Sequence, residues 1–73
     1  MRSIADDVVE VLSLGQGDEC YIAWSEEGGG EVHRIWDKFF LFEIPQFGGE
    51  GYFVGHFSIG EVEKMVRLAH SWA

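Results

Sequence analysis

Two glycine clusters, residues 28–30 and Gly48, Gly49 and Gly51, cut the aromatic middle of this chain into short apolar runs of a length that suits strands joined by tight turns. The spacing predicts strands over residues 20–25 and 32–36, with a turn over residues 26–30 in which three successive glycines permit positive φ. Residues 39–44 form the most apolar run and the expected centre of a sheet, ended by Pro45. A glycine-containing loop over residues 46–51 leads into a fourth strand over residues 52–57.

Helical periodicity flanks this middle. Ser58 precedes Glu61 by three residues, a capping-box spacing, with Phe57 placed to staple onto Val62. Ile59, Val62, Met65, Val66, Ala69 and Trp72 then recur every three to four residues, which predicts a C-terminal amphipathic helix. At the other end Ser3 and Asp6 repeat the capping spacing. Ile4, Ala5, Val8, Val9 and Leu12 supply an apolar face, with Asp6, Asp7 and Glu10 largely opposite and Gly15 placed to end the helix. The expectation is a helix over residues 3–14. Its rival is a strand, because Val8, Val9 and Val11 are β-branched.

Together these predict one α+β domain over residues 1–73, a four-stranded antiparallel sheet flanked by an N-terminal and a C-terminal helix in two layers. With both helices on one sheet face, the period of two places large rings from residues 39–44 and 52–57 on the other, where a partner or a second copy could cover them. Apolar residues are 47% of the chain, enough for a core at this size.

The one cysteine, Cys20, cannot form an internal disulfide, so a reducing cytoplasm is the expected compartment. No signal-peptide pattern opens the chain, and no apolar run approaches the roughly 18 residues a membrane span needs. Cys20 reads as a structural thiol in preference to a nucleophile. Glu43, within an apolar strand, either faces water or pairs with Arg34 or Lys38 across the sheet. His33, His56 and His70 lie at no His or Cys ligand spacing. His33 and His56 are expected partly exposed on strands, and His70 at the end of the last helix, where a cation suits the dipole. No metal, no cofactor and no catalytic residue is expected, and neither glycine cluster is followed by the Lys and Ser or Thr of a phosphate loop.

Charge is what remains. The formal net charge is −8, and residues 1–31 hold eight acids against Arg2, while residues 32–73 hold five acids against four bases. That balance opposes direct contact with nucleic acid or anionic lipid and favours a protein partner with a basic surface, met by a monomer or a homodimer; the alternative is a small structural or regulatory subunit that dimerises through its open sheet face. The candidate partner-binding acids are Asp6, Asp7, Glu10, Asp18, Glu19, Glu26, Glu27 and Glu31, with Trp24, Trp36 and Tyr52 as anchoring rings.

The stretch FLFEIPQFGGE from Phe40, the stretch FVGHFS from Phe53 and the helix ending in Ser71 and Trp72 resemble the small acidic proteins that phages encode, of the anti-CRISPR type. The resemblance covers about the last half of the chain. It implies a binding inhibitor, acting in the host cytoplasm, that occupies a nucleic-acid-binding or subunit-docking surface of a nuclease complex. It carries over no active-site residue.

Overall fold

The computed structural model describes residues 2–72. Its elements follow the order α1 (Ile4–Leu12), β1 (Glu19–Ser25), β2 (Gly28–Ile35), β3 (Lys38–Ile44), β4 (Tyr52–Ser58), a short 3-10 turn (Ile59–Glu61) and α2 (Val62–His70). The strands form one antiparallel meander in the order β1-β2-β3-β4. Both helices cover one face. Val11 from α1 and Val62, Met65, Val66 and Ala69 from α2 enclose Ile22, Val32, Phe39 and Leu41 of the sheet. This is the expected two-layer α+β architecture.

Local signals explain the helix starts. Ser3 Oγ accepts the N–H of Asp6 at 3.0 Å and caps α1. At the second start the N–H and the hydroxyl of Ser58 both donate to Glu61 Oε1, each at 3.0 Å. The backbone N–H first, and the hydroxyl next, hold the Glu61 carboxylate below its ordinary value. A folded pKa below the unfolded one stabilises fully above the unfolded value and loses that contribution as pH falls through the folded one. Glu61→Gln should therefore be less stable than wild type at neutral pH, with the gap closing on acidification. Denaturant midpoints measured across the acid range test this, and a gap independent of pH would refute it.

Two expectations are corrected. Residues 28–30 do not turn; they open β2 and are buried, while Glu26 and Glu27 alone make the turn. Close approach explains the glycine at position 30. A Cβ there would lie 3.2 Å from side-chain atoms of Ile22 and Leu41 and 3.3 Å from Ala69 Cβ, so its absence lets α2 settle onto the sheet.

The second correction concerns α1, which is rotated from the expected orientation. Asp7 and Val11 are buried and Ile4 and Val8 pack against the core, whereas Ala5, Val9 and Leu12 face outward. The cause lies in β1, where the pairing with β2 slips between Ile22 and Ser25 and Ala23 takes a positive φ of 52°. This bulge leaves the Ala23 N–H without a ladder partner. Asp7 Oδ2 accepts it at 2.9 Å, and the same oxygen lies 2.6 Å from His70 Nε2 at the end of α2. Arg2 Nε donates to Asp7 Oδ1 at 2.9 Å. An acid expected on the surface is thus the polar centre of the helix layer.

Candidate functional site

The open face of the sheet follows from register. Directly opposed residues of an antiparallel pair share a face, and Val32, Leu41 and Gly55 are opposed on the helix side. Their sequence neighbours therefore point away from the helices. Glu19 opposes His33 and Tyr21 opposes Glu31 across β1 and β2, and Glu31 and His33 oppose Phe42 and Phe40 on β3. On β4, Phe53 opposes Phe42 and His56 opposes Phe40. The face thus combines aromatic rings with a carboxylate pair and two histidines.

The rings are in contact. Phe42 meets Phe53 at 5.6 Å between centroids, and Phe40 meets Phe53 at 6.1 Å and His56 at 5.7 Å. His33 stands edge-on to Phe42 at 5.4 Å and 76°. Towards the β1 edge, Tyr21 and Trp24 lie 5.3 Å apart. Phe53 remains 57% exposed and Tyr21 and Trp24 each 53%. Apolar rings exposed together in this way are a docking feature when a partner covers them.

Beside the rings lies a polar cluster. His33 Nε2 is 2.6 Å from Glu31 Oε2 and 3.3 Å from Glu19 Oε2. Hydrogen bonding to the Glu31 carboxyl raises the Glu19 carboxyl above its ordinary range, against the opposing pull of His33.

The acids named from the sequence divide among several places. Asp6 and Glu10 sit on α1 in the helix layer, with Glu10 3.7 Å from Arg2. Asp18 precedes β1, where it accepts the N–H of Gly15, and Glu26 and Glu27 form the turn at the other end of that strand. Glu19 and Glu31 lie on the open face. Asp7, being buried, leaves the set of contact residues. Among the rings, Trp24 lies on the open face, Tyr52 projects from β4 at 67% exposure, and Trp36 tops the β2–β3 turn with φ 56°, its backbone clasped by both side-chain amide atoms of Gln16.

The remaining candidates fall into place. Cys20 is half-buried, its thiol pushed up to about 12 by burial and then by the nearby Glu10 and Asp7. Such a thiol is a poor nucleophile. His56 is exposed and His33 half-buried on strands, and His70 ends α2, as expected. Glu43 opposes Gly30 and Tyr52 and pairs with neither Arg34 nor Lys38 among the described residues. Arg34 instead donates to the carbonyls of Leu14 and Trp36, with its guanidinium 5.7 Å from the Phe39 centroid.

The rings expected on this face from residues 39–44 and 52–57 are Phe40, Phe42 and Phe53, joined by His56, whereas the second group, Glu31 with His33 as one cluster, was overlooked in the sequence. The Glu31-x-His33 spacing carried the second, since residues two apart on a strand share a face. No helix among the described residues is long and apolar enough to cross a membrane. No family model, no curated protein and no solved structure matches the chain.

Proposed function

We propose that this chain is a binding protein whose open sheet face docks onto a protein surface rich in basic side chains, such as the nucleic-acid-binding or subunit-docking surface of a CRISPR effector or a related complex. One observation carries the reading: the exposed rings of Phe53, Tyr21 and Trp24, with the half-buried Phe40 and Phe42 between them, share a face with the carboxylates Glu19 and Glu31. Rings supply area at low entropic cost, and carboxylates among them select Lys and Arg partners through charge and hydrogen bonding. The net charge of −8 adds long-range attraction to a basic groove and opposes a second copy of the chain on the same face. Inhibition follows from occupancy, since a groove filled by this face is closed to phosphates.

Charge reversal tests the reading. Against a basic effector subunit, the pair Glu19→Lys and Glu31→Lys should weaken binding by at least about a hundredfold, because each reversal replaces an attraction by a repulsion inside the contact. The pair Glu26→Lys and Glu27→Lys at the turn should change mainly the association rate and its salt dependence. Surface plasmon resonance at rising salt separates the two. Binding indifferent to Glu19 and Glu31, or a monodisperse dimer whose contact buries Phe53, would replace this reading with self-association.

A further inference from the structure

Glu19, Glu31 and His33 offer three donor atoms that converge without help from any loop. Glu19 and His33 are direct cross-strand neighbours, and Glu31 is two residues from His33 on β2, a strand paired on both sides. Their nearest donor atoms, one from each side chain, all lie within 4.8 Å of one another. We propose that these three side chains bind a divalent transition-metal ion on the open sheet face, with zinc the ion that suits the donor set.

The chemistry fits. Zinc takes imidazole nitrogen and carboxylate oxygen at about 2.0–2.2 Å in tetrahedral geometry, which places donors roughly 3.3–3.5 Å apart. The 3.3 Å between His33 Nε2 and Glu19 Oε2 already matches, and the 2.6 Å to Glu31 Oε2 needs an opening of under about 1 Å, within reach of side-chain rotation. The edge contact with Phe42 orients the His33 ring. A metal ligand needs such support, because a ring free to rotate loses affinity.

A second observation separates this cluster from an ordinary acidic patch. Among the described residues no Lys or Arg pairs with Glu19 or Glu31, although Arg2 serves Asp7 and Glu10 and Arg67 serves Glu63. His70 differs from His33 in being engaged by a buried carboxylate within the core layer. The cluster therefore provides two carboxylates, an imidazole and no cationic side chain. Three protein ligands leave a fourth position toward solvent, available to water or to a side chain of a partner.

The site needs only the free chain and can be measured without a partner, although its ligands Glu19 and Glu31 are also the carboxylates of the proposed docking face, so a bound ion would compete there with Lys and Arg of the partner. Calorimetric titration of Zn2+ into the whole protein should give one ion per chain, while Mg2+ and Ca2+, which prefer more oxygen ligands, bind far more weakly. In 15N-edited spectra the His33 ring resonances should shift with saturation, and those of His56 and His70 should not. His33→Gln and Glu31→Gln should each lower affinity by at least about tenfold, the smallest loss seen even for outer partners of metal ligands. Should either variant unfold, the His33 ring shift in wild type still decides. Absence of saturable zinc binding, or binding that shifts His56 or modifies Cys20 in place of His33, would overturn the assignment.

Discussion

Asp7→Ala should cost the domain about 3–5 kcal/mol, the usual loss when one partner is taken from a buried ionic network. Asp7 is 0% exposed and holds three elements that are far apart in sequence: Arg2 ahead of α1, the Ala23 N–H at the β1 bulge and His70 at the end of α2. Truncation leaves the Ala23 amide buried without an acceptor, a penalty of about 1–3 kcal/mol by itself. It also strips His70, whose side chain is 11% exposed, of its partner. Against a total stability of about 5–15 kcal/mol, much of the folded population is at stake.

Asp7→Asn should lose less, because an amide oxygen can still accept from Ala23. Arg2→Ala should lose least, since the arginine side chain is 52% exposed and water can replace part of its bond. Urea unfolding followed by circular dichroism gives the order, as falling midpoints at constant slope. A midpoint unchanged in Asp7→Ala would mean that the network contributes nothing and that apolar packing alone sets how α1 sits.

The same residue shows why part of the fold was legible and part was not. Strand count, antiparallel order and both caps follow from interactions within a few residues, such as Ser3 with Asp6 and Ser58 with Glu61. The orientation of α1 depends on an amide sixteen residues away, and no local pattern announces a bulge at Ala23. In retrospect Ile4, Asp7, Val8 and Val11 form a regular helical stripe once an aspartate is admitted to it. Assigning that acid to water gave Ala5, Val9 and Leu12 to the core instead.

Register set the limit for the site. The turn at Glu26 and Glu27 and the one-residue bulge at Ala23 together place Glu19 opposite His33, whereas a turn spread over residues 26–30 shifts the pairing and separates them. Exposed rings could be expected from the alternation in residues 39–44. Which polar groups they accompany could not, because a change of register alters every cross-strand pair.

Gly28 is where that register is held, and Gly28→Ala should cost about 2–4 kcal/mol. Its φ is 117°, outside the range L side chains favour, which costs about 1–3 kcal/mol by itself. A Cβ there would also clash with the Ile44 carbonyl oxygen, a backbone atom that cannot move without displacing β3. Gly48 provides the control: its φ is 79°, yet a Cβ would meet nothing within 4 Å, so Gly48→Ala should lose only about 1–2 kcal/mol. At roughly 4–8 °C per kcal/mol for a domain of this size, calorimetry should find Tm lowered by about 10 °C or more at position 28 and clearly less at position 48. Equal losses would show that backbone conformation alone matters and that the contact with β3 is harmless. If the contact does displace β3 from β2, the Gly29–Ile44 and Gly30–Glu43 cross-strand amide contacts should shift in the folded Gly28→Ala protein, while those between Cys20 and Val32 on the β1 side stay in place.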